Sequence, residues 1–355
     1  MSTVDSWGAV RSWGSVSAVG RALPEAAARA GSVTELGAEF SRHLSRLVPH
    51  DGYLLTGYDP VTGARCFLAC ENGYDAGARR RMDREDALSR TRGPVADLVR
   101  GTCPAVVLGA GARDESPRAR RLHRIMAADC YGSELCVALT ERGVAWGTLV
   151  LLRERGARPF SPAEAMRAAE LARPLGRAVK RHMTSAPLRP RLRQFPPTVL
   201  VIGADDEVTG VTSAGRDALR RLLPGVYPAD DRDLFSFVWH ITYTTRRTAA
   251  PALTRAPTAQ GWFSMQAQPL EGVTAGAVVV TLQPAAAADL LPALAQWYGI
   301  SRRERMVVEQ ALEGQAVKQI ARTLDLSPHT VNDHFKAVYR KTGVTCREEL
   351  VACLC

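Results

Sequence analysis

His329, Asn332, Asp333, Lys336 and Arg340 are the residues of this 355-residue chain whose types and spacing carry the clearest chemistry. On a helix that turns about 100° per residue they fall in one stripe about 100° wide. Val331, His334, Phe335, Val338 and Thr342 fall on the other side. An amide binds adenine through two hydrogen bonds, a carboxylate accepts from the cytosine amino group, and lysine or arginine reaches guanine or phosphate. The stripe therefore carries the side chains of a surface that reads nucleic acid. The outer face of a small helical bundle would carry the same pattern, so the helix wheel alone leaves both readings open.

Strong local signals define the elements that must position this stripe. Ser301-Arg302-Arg303-Glu304 is a capping box, and Thr345-Cys346-Arg347-Glu348 is another. Ser327-Pro328 sets a cap residue before a proline at the first helical position. Val317, Ile320, Ala321 and Leu324 recur at i, i+3, i+4 and i+7 as one apolar helical stripe. A short Asp325-Leu326 step follows, then a helix expected from Pro328 to about Thr342, closed by Gly343. A second helix after a tight turn is how a helix-turn-helix presents its recognition helix to the major groove. The N-terminus of that helix also favours a phosphate.

The run Ile300-Ser-Arg-Arg-Glu-Arg, Gly314, Val317-Lys-Gln-Ile-Ala321, Leu326-Ser-Pro-His-Thr-Val331, His334, Lys341-Thr-Gly-Val344 and Arg347-Glu-Glu-Leu350 resembles the LuxR-type helix-turn-helix domain. It is similar to the form found in actinobacterial regulators with a GAF-like sensor upstream. The resemblance implies DNA binding, with Lys318 and Thr330 on backbone phosphate and Asn332, Asp333 and Lys336 facing bases. Many members carry lysine where this chain has Asn332, which leaves the DNA sequence preference open but not the groove geometry. It further implies a homodimer in which the last helix pairs two DNA-binding domains through Leu350 and Leu354, with Val351 beside them. The alternative is that these leucines close the four-helix core.

Net charge is +10, which fits a polyanion partner. The charge is nevertheless not where the stripe is. Residues 299–355 hold nine Lys or Arg against seven Asp or Glu, and the excess lies upstream in Arg79-Arg80-Arg81, Arg118-Ala-Arg-Arg121 and Arg189-Pro-Arg-Leu-Arg193. Hydrophobic content of 46% and charged content of 23% are those of a globular protein. No apolar run of about 18 residues exists, so no membrane span is expected. Met1 to Val19 lacks a basic region followed by an apolar core, so a cytoplasmic location without a signal peptide is expected. The eight cysteines include no CxxC pair, and buried free thiols are expected, with no metal and no cofactor. A phosphate-binding Gly-Lys loop, H-E-x-x-H and G-x-S-x-G are all absent, so an enzyme is not expected.

The upstream pattern predicts an α+β multidomain protein: two α+β sensor domains followed by an all-α four-helix domain. The expected units are a disordered tail over 1–23, a first domain over 24–183, a linker over 184–196, a second domain over 197–284, a linker or short connecting helix over 285–298, and the helix-turn-helix domain over 299–355. In the first domain one helix is expected over 24–48, strands at 51–58 and 65–69, and an Arg-rich loop or helix at 76–92. A short helix at 95–100, a strand at 105–108 and a helix at 118–128 follow. A hairpin at 133–152 and a helix from Ser161 to about His182 complete it. The order of Asp51-Gly-Tyr53, Asp59-Pro-Val-Thr-Gly63, Gly147-Thr-Leu-Val-Leu-Leu152 and Phe160-Ser-Pro-Ala-Glu164 resembles a GAF domain. The second domain, with strands at 198–202, 208–211, 261–268 and 275–282 and a helix over 213–223, resembles a PAS-type domain. A phosphorylated receiver is rejected, because the unit is too short and lacks later strands ending in Thr and Lys.

These observations predict a DNA-binding transcriptional regulator with a recognition helix over 328–342. Its expected partners are double-stranded DNA and a second copy of the chain. A small-molecule ligand of the GAF-like domain and RNA polymerase are further candidates; a membrane is not. The rival readings are a sensor-associated signalling enzyme, for which no catalytic module is visible, and an adaptor whose helical C-terminal domain binds protein.

Overall fold

The computed structural model describes residues 15–88, 98–99, 101, 103–109, 116–185, 188, 197–213, 215–222, 236–258, 261–272 and 275–354. Two helices open the chain, α1 (Val16–Arg29) and α2 (Val33–Leu44). They replace both the single helix expected over 24–48 and the end of the tail expected over 1–23; residues 1–14 lie outside the described residues. The break is local chemistry. Ser32 Oγ accepts the Glu35 N–H at 3.1 Å, and Glu35 accepts the Gly31 N–H at 2.7 Å, so a new helix starts there.

Strands β1 (Gly52–Tyr58), β2 (Arg65–Glu71), β3 (Ala105–Gly109), β4 (Tyr131–Glu141) and β5 (Val144–Glu154) form one antiparallel sheet in the order β2-β1-β5-β4-β3. Helices α1 and α2, with α5 (Pro162–Glu170) and α6 (Ala172–Thr184), bury Leu36, Phe40, Leu139, Leu149 and Leu175 against one face. Helices α3 (Ala76–Leu88) and α4 (Pro117–Ala128) bury Ala78 and Met126 with Leu54 and Leu152 on the other. The Arg-rich segment is thus a helix as far as Leu88. The short helix expected over 95–100 and the linker over 184–196 fall largely outside the described residues.

The second unit holds β6 (Thr198–Ile202), β7 (Val208–Val211), α7 (Gly215–Leu222), α8 (Trp239–Thr248), β8 (Ala252–Thr258), β9 (Gly261–Pro269) and β10 (Val278–Pro284). Its strand order is β7-β6-β10-β9-β8. Numbered from the first strand of each unit, the two sheets have the same order. Helix α8 and strand β8 are absent from the sequence reading. Pro257 argues against a strand, but β8 is an edge strand, where a missing N–H is tolerated.

Edge strand β8 lies against edge strand β2 of the first sheet, and Thr254 Oγ1 donates to Arg65 O at 2.8 Å across the seam. Each edge thereby covers the other. The seam is charged. Arg255 Nη1 meets Asp59 Oδ2 at 2.6 Å with both side chains buried. Asp206 gathers Arg80 and Arg84, both at 3.8 Å, with Arg246, and accepts from Tyr243 Oη at 2.8 Å. The guanidinium of Arg80 also lies 4.2 Å from the Trp239 ring centroid.

Residues 285–298, expected as a linker or short connecting helix, contain a helix that joins all parts of the molecule, α9 (Ala287–Tyr298). Gly299, at φ 67°, caps it. Ala293 and Trp297 enter the core of the first unit, where Trp297 packs on Trp146. Leu290, Leu291 and Leu294 enter a core with Val338, Leu350 and Leu354. The alanine-rich composition hides this second stripe. Four helices complete the chain: α10 (Arg302–Leu312), α11 (Val317–Thr323), α12 (Pro328–Thr342) and α13 (Arg347–Leu354).

Candidate nucleic-acid interface

Backbone capping sets the frame. Ser301 Oγ accepts the Glu304 N–H at 3.3 Å, and Glu304 Oε2 accepts the Ser301 N–H at 2.6 Å. Lys341 Nζ donates to the same carboxylate at 2.6 Å and to Gly299 O at 2.9 Å, tying α12 to the start of α10. Burial alone would raise the Glu304 carboxyl; Lys341 and the Ser301 donors outweigh it and hold it below the ordinary range. Helix α11 ends in a sharp turn with Asp325 at φ 53°, a left-handed conformation that aspartate tolerates better than most side chains. Leu326 N–H donates back to Ala321 O at 2.8 Å. Ser327 Oγ then accepts the Thr330 N–H at 3.0 Å, Pro328 occupies the first turn, and α12 runs to the Gly343 cap.

The inner face of this frame is apolar. Val307, Ala311, Ile320, Ala321, Val331 and Phe335 form one cluster among α10, α11 and α12. Burying Val331, Phe335 and Val338 forces the opposite face of α12 outward. Asn332, Asp333, Lys336, Arg340 and His329 are all exposed there, and Lys318 is exposed on α11. Thr330 is half-buried and its hydroxyl lies 2.9 Å from Ser327 Oγ, so a phosphate would share it with the cap. Asp333 is flanked by His329 Nδ1 at 3.0 Å and Lys336 Nζ at 3.6 Å. Exposed pairs of this kind are worth only about 0–1 kcal/mol, so they open readily for another partner.

One residue escaped the sequence reading. Arg322 is exposed on α11, four positions after Lys318 and therefore on the same helical side. The i, i+4 spacing was the available signal. Leu350 and Leu354 are each 1% exposed, packed in a cluster with Leu290 and Leu294 of α9, Val308 of α10 and Val338 of α12, and Val351 is half-buried. The expected start of the last helix needs correction. The last helix begins at Arg347, and Glu349 rather than Glu348 takes the Thr345 N–H, at 2.6 Å. Among the described residues the cysteines are free thiols, but Cys130 and Cys346 are exposed rather than buried as expected, and no cluster of His, Cys, Asp or Glu is arranged to hold a metal ion. No described helix is long and apolar enough to cross a membrane.

Residues 299–354 match the bacterial regulatory proteins of the luxR family. The chain is 38% identical over 96 residues to the transcriptional regulatory protein UhpA of Salmonella typhimurium, and equally to that of Escherichia coli. Each match covers 26% of this chain and 48% of the relative, so the chain spans about half the length of the curated relatives it matches. Among solved structures, Escherichia coli SdiA aligns over 94% of both chains at 14% identity and a TM-score of 0.36. The GAF domain of a phosphoenolpyruvate-protein phosphotransferase from Coxiella burnetii aligns over 45% of this chain and 90% of its own, at 19% identity and a TM-score of 0.29. Scores at this level identify no fold; the architecture rests on the strand orders above.

Proposed function

We propose that this chain, whose residues 299–354 are a LuxR-type helix-turn-helix domain, is a DNA-binding transcriptional regulator. The observation that carries the reading is α12: a capped helix after a left-handed turn, anchored by Val331, Phe335 and Val338, with Asn332, Asp333, Lys336 and Arg340 exposed together. In this reading α12 lies in the major groove, Asn332, Asp333 and Lys336 meet base edges, and Lys318, Thr330, His329 and Arg340 meet or approach the phosphate backbone. The two α+β units upstream serve as GAF-like and PAS-like sensor or dimerisation domains, and RNA polymerase is the partner a regulator of this kind would act on.

A homodimer paired through α13 requires α9 to leave Leu350 and Leu354, since both are covered in the chain as folded. The upstream units would then control assembly through α9. A gel-shift titration of the full chain against rising salt tests DNA binding. The logarithm of the affinity should fall linearly with that of the salt concentration, with a slope of about −0.9 per phosphate neutralised. Absence of a shifted band on any genomic fragment at low salt would favour the adaptor reading.

A further inference from the structure

The two α+β units line a partly open cavity of about 100 Å³ where their edge strands meet. The first unit walls it with Arg65 and Phe67 of β2 and with Arg79 and Asp83 of α3. The second unit walls it with Phe237, with His240 of α8, and with Phe263 and Met265 of β9. Neither unit builds it alone, and it is separate from the helix-turn-helix domain.

We propose that this seam cavity binds a small, mainly apolar monocarboxylate about the size of benzoate, its carboxylate on Arg65 and its body among Phe237, Phe263 and Met265. Charge selects the headgroup. Of the two guanidiniums in the lining, Arg79 is engaged with Tyr74 O, which leaves Arg65 as the group that meets a headgroup. Arg65 pairs with Asp83 through Nη1. A guanidinium has five N–H donors in a planar fork suited to a carboxylate, so the pair leaves donors for an occupant. The Arg65 side chain stays 35% exposed while that of Asp83 is 4% exposed, so the pair is closed on its acidic side and open on its basic side. His240 adds a hydrogen-bonding ring without adding charge. Burial, then Arg65 and Arg247, push its imidazole down to about 3.

Size and polarity select the body. An enclosed apolar cavity of roughly 150 Å³ takes up benzene whole. This one is smaller and partly open, so it admits a single ring or a short branched chain only with the carboxylate left at its mouth. A cation is repelled by the guanidiniums. A phosphate or a dicarboxylate brings more charge than the lining balances and leaves the aromatic wall unused. An occupant would touch β2, α3, α8 and β9 together and so hold the two units in one relative position.

The proposal stands independently of DNA binding and is tested on the full chain by calorimetric titration with benzoate and, at matched salt, with benzamide. Benzoate should saturate one site per chain, and benzamide, which lacks the charge, should bind about tenfold more weakly or worse. Met265→Trp fills the apolar wall and should abolish benzoate binding. Ala256 of β8 also lines the cavity, and Ala256→Leu fills it more gently as the second variant, each accepted only with a native circular-dichroism spectrum. No saturable benzoate binding up to about 10 mM would overturn the proposal. So would equal affinity for the two probes, or undiminished binding in a folded filled variant.

Discussion

Asn332 and Lys318 are expected to do different work on DNA, and their separation is measurable. Asn332→Ala should relax preference at one base pair by about 1–3 kcal/mol. Lys318→Ala should weaken all sequences alike and lower the salt slope by about 1. Arg322→Ala should behave as Lys318→Ala does, since the two share a side of α11. Competition gel shifts with point-substituted operators check this; uniform losses for all three variants would remove Asn332 from base readout. The exposed stripe was legible in the sequence because caps on both sides fix the phase of α12, and a fixed phase turns spacing into a face. The role of Glu304 beyond its cap was not legible, because Lys341 reaches it from a different helix. A separate residue governs acid stability. Burial would raise the Glu164 carboxyl, but Arg153 at 2.7 Å and the Ser161 donors outweigh burial and hold it at about 2, below its ordinary 4.5. A carboxyl depressed by folding stabilises the native state above its unfolded value and loses that contribution as pH falls toward the folded value. Glu164→Gln should therefore lose on the order of 1–2 kcal/mol at pH 7, since water screens part of the pair, and the deficit should shrink between about pH 4.5 and 2. Thermal midpoints of both proteins across that window test the sign.

Helix α9 decides what α13 can do. Leu294 is 1% exposed between them, and Leu294→Ala should cost about 2–5 kcal/mol by cavity formation. A fragment of residues 285–355 keeps α9 over Leu350 and Leu354, whereas one of residues 300–355 exposes them. Sedimentation should find the longer fragment monomeric and the shorter one self-associating; identical behaviour would mean the leucines serve only the core. The elements of the C-terminal domain were readable because their signals are local: Ser-x-x-Glu, Ser-Pro and a terminal Gly. Sequence alone leaves α9 open between a linker and a short connecting helix, because alanine and an internal Pro292 resemble a linker, and its apolar stripe gains meaning only from partners remote in sequence. Strand β8 was missed for the same kind of reason, since only its place at a sheet edge reconciles Pro257 with a strand. The Gly31-Ser32 break was available in the sequence as another Ser-x-x-Glu signal.

At the scale of the whole molecule the charged seam fixes how the two sheets meet. Arg255→Leu should leave Asp59 buried without its partner at a cost of about 3–5 kcal/mol. Limited proteolysis should then cut between the units sooner than in the parent protein; unchanged cleavage would mean that the cluster at Asp206 suffices to hold them. The indoles of Trp146 and Trp297 lie 4.6 Å apart between centroids, tilted by 41°, with one on β5 and the other on α9. At that separation two chromophores share their excited states, and the pair should give a paired band of opposite signs in circular dichroism. Replacing either ring by phenylalanine should erase the whole band rather than half of it. Release of α9 should also collapse the band and shift the emission to the red as both rings meet water. The chain thus carries an intrinsic optical gauge of whether α9 is seated, readable without any attached dye.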